Sequence, residues 1–223
     1  MKNTVITALI CLILGLGIGY LFFYSSNESA PPTPSATVTP TTEVSPSESA
    51  APTEPVDSKD LLETASAAVQ LIKSGSYDAL SEMVHPEDGV YFTPYSNVDF
   101  NSNVQFTAEQ VKNINSDEEV YLWGTTDGEG APINMTPRQY FEKYVFDQDY
   151  TTAPLIGRNY VVMSGNSIEN VKEAYPDCQF VDFHFPGFDE QVGGMDWCTL
   201  RLVFREYYGS YKIVGIIHAQ WTI

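Results

Sequence analysis

The chain has 223 residues with 29 acidic and 11 basic side chains, which gives a formal net charge of −18. A surface of that charge repels phosphate backbones, so we expect no nucleic-acid partner. The length favours one globular domain with appended segments.

The N-terminal part of the sequence contains an apolar run followed by a low-complexity segment. Residues Thr4 to Tyr24 form an uncharged stretch of 21 residues, long enough to span a bilayer of about 30 Å. We therefore predict that residues 1–24 are an uncleaved, single-pass anchor in the cell membrane, with the rest of the chain outside the cell. Membrane contact is expected through this helix only. Residues 25–56, rich in Pro, Ser and Thr, are predicted to be a disordered linker to an α+β domain at 57–223.

Helix signals are concentrated in the first half of the predicted domain. A helix is predicted from Asp57 to Gly75, with an apolar stripe formed by Leu61, Leu62, Ala65, Ala68, Val69 and Ile72. A second, shorter helix begins at Ser76 and ends at His85-Pro86. Thr107 and Thr136 each begin a capping box and so predict two further helix starts.

Strand signals follow, at Gly89 to Tyr95, Val120 to Trp123, Tyr160 to Met163 and Cys178 to Phe185. The longest signal, from Cys198 to Ile223, predicts a hairpin with a type II′ turn at Gly209-Ser210. That turn places Cys198 opposite Trp221 and Leu202 opposite Ile217. Because the sequence ends at the second strand, we expect this strand to be held inside the fold. Helices before strands indicate an α+β fold, with N-terminal helices packed on a curved antiparallel sheet.

Two stretches carry a resemblance to a known superfamily. They are KSGSYDALSEMVHPEDG, a short helix after Gly and then His-Pro, and the closing GSYKIVGIIHAQWTI. Together they resemble the cone-shaped, cystatin-like domains of the ketosteroid isomerase, SnoaL and nuclear transport factor 2-like superfamily, and uncharacterised surface proteins of Gram-positive bacteria. The resemblance implies two helices that cover a curved sheet, with a pocket between them. Some members use that pocket for catalysis, and others for binding or dimerisation.

Asp182 and His184 are the candidate catalytic residues. They lie two positions apart on a predicted strand and therefore share a face. A carboxylate beside an imidazole in an apolar pocket could act as a general base. With the opposite strand parity, the buried residues are Val181, Phe183 and Phe185. Asp182 and His184 are then exposed to solvent or paired with other polar side chains. The sequence leaves both alternatives open.

The candidate binding residues are aromatic or basic. His218 is expected to face Arg201 across the hairpin, and an aromatic pocket for a ring or sugar could be lined by Trp221, Trp197, Trp123, Tyr91 and Tyr95. Packing in the core or at its rim is the alternative for these rings. His218, Asp182 and His184 lack the spacing of a metal site, so no metal and no cofactor is expected. The loop Asp127 to Gly130 lacks the ligands of a calcium loop and is interpreted as an acidic turn.

Cys178 and Cys198 are the only cysteine pair of the predicted domain. In an extracellular domain such a pair predicts a disulfide, and two buried free thiols are the alternative. Three functions are then open. The first is non-catalytic binding of a small ligand, a cell-wall component or a protein partner. The second is an isomerase-like or hydrolytic enzyme that uses Asp182 and His184. The third is a structural module that forms a homodimer through its sheet.

Overall fold

A computed structural model describes residues 58–222, in which short helices and one long helix accompany a six-stranded sheet. The helices are α1 (Ser58–Ser74), α2 (Tyr77–Ser81), α3 (Ala108–Lys112), α4 (Pro137–Tyr140) and α5 (Val171–Ala174). A π-helical turn (Phe141–Val145) continues α4, and two 3₁₀ turns lie at Tyr150–Thr152 and Glu190–Val192. The predicted anchor and linker lie outside the described residues. Among residues 58–222, no helix has the length and apolar character that a bilayer crossing needs.

The strands are β1 (Val90–Thr93), β2 (Val104–Phe106), β3 (Tyr121–Thr125), β4 (Pro132–Met135), β5 (Leu155–Arg158), β6 (Gln179–Phe185), β7 (Cys198–Tyr207) and β8 (Ser210–Gln220). The main sheet has the order β2-β1-β8-β7-β6-β5, and β3 and β4 form a separate hairpin. The predicted α+β class, with helices on a sheet, is confirmed. The antiparallel prediction needs one correction, because β1 pairs with β8 in parallel. A parallel pair requires a long crossover, and here it is the whole chain between these two strands.

Local signals locate most elements correctly. Both capping boxes form as predicted, with the side chains of Thr107 and Thr136 each accepting a hydrogen bond from the third helical residue. The predicted strand from Tyr160 to Met163 is wrong, because the strand beside β6 is β5. Asn159, at a φ of 52°, turns the chain out of the sheet immediately after β5.

The closing hairpin forms, but its turn lies one residue earlier than predicted. Tyr208 and Gly209 both have positive φ, 48° and 74°, which is the requirement of a type I′ turn. The earlier turn alone would move the partner of Cys198 from Trp221 to Ala219, and a bulge farther along the hairpin makes it Gln220. The predicted position of β8 inside the fold is confirmed, since this strand lies between β1 and β7.

A β-bulge at Val203/Phe204 changes the register a second time. Leu202 consequently pairs with Ile216. Ile216 joins the core beneath the helices, whereas Ile217 packs on the opposite side of the sheet. The predicted pairing of Leu202 with Ile217 is therefore wrong by one residue.

Helix α1 packs on β6 and β8, and its stripe is buried except for Leu62, which is 37% exposed. Beyond α1, the space beneath the helices is filled by aromatic rings. Phe92 contacts the rings of Phe106, Trp123, Tyr140 and Phe141, and Trp123 stacks on Tyr140 with a centroid distance of 3.9 Å. Trp123 is fully buried and donates its indole N–H to the carbonyl of Met135 at 2.8 Å. It is therefore a core residue.

The opposite face of the sheet is covered as well. Residues 159–176, called the outer segment below, contribute Val171 and Tyr175 to a second apolar cluster that contains Phe180 and Val203. Since both faces of β6 and β7 are covered, polar side chains on the second face are also removed from water.

Candidate functional site

Arg201 and Asp182 form a buried ion pair beneath the outer segment. They are register partners on β7 and β6, and both side chains are fully buried. Arg201 Nε donates to Asp182 Oδ1 at 2.5 Å and Nη2 donates to Oδ2 at 2.9 Å. Nη1 donates to both carboxylate oxygens of Glu169, each at 2.8 Å. Burial alone would lower the pKa of Arg201, but Asp182 and Glu169 outweigh it and raise this pKa.

Strand β6 has the strand parity in which Asp182 is paired with another side chain and does not face a pocket between helices and sheet. Val181 and Phe183 point into the core beneath the helices, and Asp182 faces the outer segment. Both of its oxygens are engaged by Arg201, and Oδ2 also accepts from the backbone N–H of Val162 at 3.1 Å. Asp182 is therefore closed to solvent, and both of its carboxylate oxygens are already hydrogen-bonded. A catalytic role for it stays a prediction that this geometry does not favour.

His184 shares the face of Asp182 and is also fully buried. Its Nδ1 lies 2.8 Å from Thr199 Oγ1, and its ring lies 5.8 Å from that of Trp197. Burial lowers the pKa of His184, and the charge of Asp182 offsets this only in part. The imidazole is consequently neutral at physiological pH.

His218 lies on the other side of the sheet from Asp182 and His184. It pairs with Leu200, not with Arg201, because of the shifted hairpin register. Its Nδ1 is 3.3 Å from the carbonyl oxygen of Pro94, and its Nε2 is 3.4 Å from Asp147 Oδ2. The three polar residues considered for a metal site are therefore not brought together. Within residues 58–222, no three His, Cys, Asp or Glu side chains are grouped in a way that would hold a metal ion.

The predicted disulfide between Cys178 and Cys198 is wrong, and both thiols are free. Cys198 lies opposite Phe185, whereas Cys178 precedes the other end of β6. Seven residues of strand separate those two positions, which is about 23 Å at about 3.3 Å per residue. Cysteine counting indicates a pair, but only the strand register decides whether the two thiols meet.

A polar cleft, called the Asp127 cleft below, opens between the loop after β1, the end of β3 and the outer segment. It has a volume of about 440 Å³. Its lining is mostly amide, hydroxyl and carboxylate, and includes Tyr95, Asn97, Asn103, Thr126, Asp127 and Asn166. Among the described residues, no lysine, arginine or histidine lines it. The cleft can therefore both donate and accept hydrogen bonds, and its fixed charge is negative.

Asp127 joins the walls of this cleft. Its Oδ2 accepts from the hydroxyls of Ser167 and Thr222, both at 2.6 Å. These two hydrogen bonds, that of Ser167 first, lower the pKa of Asp127 below its usual value. Thr222 Oγ1 also lies 3.1 Å from Asn166 Oδ1. The acidic turn, the outer segment and the end of the sheet are thus fixed to one another at the cleft.

The buried ion pair also helps to position the wall of the Asp127 cleft that the outer segment forms. Glu169 belongs to the outer segment and is held by Arg201. The next residue, Asn170, accepts from the N–H of Val98 at 2.8 Å and donates to its carbonyl at 2.9 Å. These contacts hold the part of the outer segment from Ser167 to Asn170 at the wall of the cleft. Sequence patterns gave no indication of Glu169 or Asn170, because neither stands in a recognisable motif.

Of the predicted binding residues, Tyr95 lines the Asp127 cleft. Burial raises the pKa of its hydroxyl, and its ring meets that of Tyr144 at 6.2 Å. Trp123 lies in the core, Arg201 in the ion pair and His218 beside Asp147. Trp221 is 41% exposed and borders a different pocket at the start of β7.

Comparison with known proteins gives similarity in structure only. No protein-family model matches the sequence, and neither does any curated protein. The chain is similar to a nuclear transport factor 2-like protein with a cystatin-like fold from Novosphingobium aromaticivorans, at 15% identity and a TM-score of 0.32, over 73% of this chain and 80% of that chain. A nuclear transport factor 2-like protein of unknown function from Shewanella oneidensis matches at 7% identity and a TM-score of 0.33, over 73% of this chain and 98% of that chain.

The β subunit of a benzoate 1,2-dioxygenase from Burkholderia mallei matches at 15% identity and a TM-score of 0.29, over 75% of this chain and 93% of that chain. With TM-scores below 0.5, these likenesses carry no argument about function. By name, two of these neighbours are nuclear transport factor 2-like proteins.

Proposed function

We propose that residues 58–222 form a non-catalytic binding domain whose Asp127 cleft takes a small, neutral, polyhydroxylated ligand of the carbohydrate type. The volume of about 440 Å³ lies within the range of about 300–1,000 Å³ that is usual for small-molecule sites. Amide and hydroxyl side chains provide the mixed donors and acceptors that hydroxyl groups require. The ring of Tyr95 adds an apolar surface for the C–H face of a sugar.

The single observation that carries this proposal is that the cleft is pre-organised. Asp127 is held by Ser167 and Thr222, and the opposite wall is anchored through Asn170 and Glu169. Polar groups already fixed in place lose little entropy when a ligand binds. The carboxylate of Asp127 disfavours anionic ligands, since no lysine or arginine of residues 58–222 lines the cleft beside it. A neutral saccharide, including a neutral cell-wall component, fits these conditions.

The interior of the domain supports binding over catalysis. The superfamily's pocket lies between helices and sheet, and here that space contains Phe92, Trp123 and Tyr140, each nearly or fully buried. The coverage of both sheet faces likewise disfavours a homodimer through the sheet. An anchor in residues 1–24 and a linker in residues 25–56 would then present the cleft outside the cell.

Ligand-observed NMR on the full-length chain tests this proposal, with N-acetylglucosamine, its soluble oligomers and glucose as probes. We expect saturation transfer to at least one of these saccharides. Asn166→Ala and Asp127→Asn should each weaken binding by about tenfold, the effect of one or two hydrogen bonds. Tyr208→Ala is the control, because Tyr208 is 92% exposed at the hairpin turn. Absence of transfer to every saccharide, or equal binding by all variants, would refute the proposal.

A further inference from the structure

A second pocket, called the Trp221 pocket below, lies where β7 begins and β8 ends. It has a volume of about 240 Å³ and is bordered by Asp147, Phe188, Met195, Asp196, Cys198 and Trp221. We propose that it binds a primary alkylammonium group of the size of a lysine side-chain end. This inference is independent of the Asp127 cleft and of what that cleft binds.

Two carboxylates give the Trp221 pocket its charge. Asp196 Oδ2 accepts from the backbone N–H groups of Phe188 at 3.0 Å and Asp189 at 2.7 Å. Asp196 Oδ1 is buried and has no hydrogen-bond partner among the described residues. A buried carboxylate oxygen normally has a donor, because leaving it without one costs free energy. An ammonium group in this pocket would place a positive charge beside this carboxylate.

Asp147 provides the second negative charge. Its Oδ1 accepts from the hydroxyl of Tyr150 at 2.7 Å, and its Oδ2 lies 3.4 Å from His218 Nε2. Burial raises the pKa of this carboxyl, but His218 and Tyr150 outweigh that effect, so the net shift is downward and Asp147 is ionised at neutral pH. Its side chain is 23% exposed and thus accessible from the pocket.

The rim of the pocket is apolar. Phe188, Met195 and Trp221 are 54%, 50% and 41% exposed, and all three border this opening. Aromatic faces attract cations, and a thioether adapts to an alkyl chain. A lysine side chain combines an apolar stem with a cationic end, which matches an apolar rim above carboxylates. The volume is too small for a drug-sized ligand but suits the end of one side chain.

No cation of the described residues takes this role. Neither lysine nor arginine of residues 58–222 lines the Trp221 pocket. His218 Nε2 lies 3.4 Å from Asp147 Oδ2, but no lysine or arginine of residues 58–222 faces the two carboxylates from inside the pocket. Charge complementarity, together with the aromatic rim, selects an alkylammonium over a neutral or anionic group.

The test uses the full-length chain with ¹⁵N-labelled tryptophan and follows the indole N–H signals by NMR. The probes are acetyl-Gly-Lys-Gly-amide, its norleucine analogue as a neutral isostere, and n-butylammonium chloride. We expect the lysine peptide to shift the Trp221 signal in a saturable way and to bind about tenfold tighter than the norleucine peptide. The indole of Trp123, buried in the core, should not shift and serves as an internal control.

Two variants and a matched control locate the effect. Asp196→Asn keeps an acceptor for the two backbone N–H groups but removes the charge, and should weaken lysine-peptide binding by about tenfold. Asp149→Asn is the control, since Asp149 is an exposed carboxylate paired with Lys73 outside the pocket. If n-butylammonium binds as well as the peptide, the ammonium group can belong to any small amine. If only the peptide binds, the ammonium group belongs to a polypeptide.

The inference is overturned if neither cation shifts the Trp221 signal, or if the norleucine peptide binds as tightly as the lysine peptide. Both comparisons use the unaltered chain, so they hold even if a variant fails to fold. Saccharide binding at the Asp127 cleft is measured separately, and its outcome does not affect this one.

Discussion

Arg201 and Asp182 face each other across β7 and β6 with both side chains fully buried, and two hydrogen bonds of 2.5 and 2.9 Å join them. Removing two charges from water costs several kcal/mol, so such a pair persists only where its remaining hydrogen-bonding groups are satisfied. Glu169 and the N–H of Val162 supply those bonds, and both belong to the outer segment. The pair therefore determines where the outer segment crosses the sheet.

Removing one partner of this buried ion pair should strongly destabilise the protein. Arg201→Met leaves Asp182 as an uncompensated buried charge, and we expect the free energy of unfolding to fall by about 3–5 kcal/mol. Urea denaturation measures this loss. Arg205→Met is the matched control on the same strand, because Arg205 is 42% exposed and pairs with Asp88 at the surface. Arg205→Met should lower the free energy of unfolding by less than about 1 kcal/mol. Equal losses in the two variants would contradict the assigned role of Arg201.

A milder change should loosen the outer segment alone. Glu169→Gln keeps the shape of the side chain but removes the charge that Arg201 binds. We expect faster amide hydrogen exchange within residues 159–176, because local opening of this segment becomes easier. Hydrogen exchange with mass spectrometry measures it, with Glu173→Gln, exposed in the same segment, as the control. Unchanged protection of the segment in Glu169→Gln would show that other contacts hold it.

Stability should decrease on mild acidification because of His184. Burial lowers its pKa in the folded state below the ordinary 6.5. Between these two pKa values the unfolded chain binds more protons than the folded chain, so a fall in pH favours unfolding. The stability present above about pH 6.5 is therefore lost as the pH falls toward the folded pKa.

Unfolding curves of the natural chain and of His184→Gln, taken between about pH 7.5 and pH 5.5, test this expectation. The natural chain should lose more stability over that interval than the variant. The carboxyl groups of Asp127 and Asp147, whose pKa values are lowered from 3.8, lose their contribution only at more acidic pH. Parallel curves for the two chains would exclude His184 as the group that titrates.

The two cysteines should differ in reactivity. Cys198 is 4% exposed, and burial raises its pKa to about 12, so very little thiolate forms at neutral pH. Cys178 is only partly buried, and Arg205 opposes the rise in its pKa that burial causes. Iodoacetamide should therefore label Cys178 first in the native chain and both thiols in denaturant. A Cys178–Cys198 cross-linked peptide in a non-reduced digest would contradict the strand register described above.

The sequence predicts elements with local signals well. The stripe of α1, the capping boxes at Thr107 and Thr136, and strand β6 are examples, because their determinants lie within a few residues of one another. The hairpin turn is less predictable. Gly209-Ser210 suits a type II′ turn, and only the structure shows Tyr208 accepting a positive φ. The bulge at Val203/Phe204 then moves Ile216 and Ile217 to opposite faces, which no periodicity indicates.

The Asp127 cleft could not be predicted, because its parts are remote in sequence. Asp127 and Thr222 are 95 residues apart, and Asn170 and Val98 are 72 apart. Neither pair belongs to a motif, and polar residues in loops are common. The face of Asp182 was likewise undecided, since strand parity follows from the partner strand and not from β6 itself.

The central place of β8 has a consequence for biosynthesis. A ribosome makes this strand after all the others of the sheet, yet both β1 and β7 depend on it for pairing. Until it emerges, the nascent chain has two unpaired strand edges and an incomplete apolar layer, which are surfaces prone to aggregation. Completion of the main sheet must therefore wait until β8 has been made, and a chaperone that shields these edges would be of use until then.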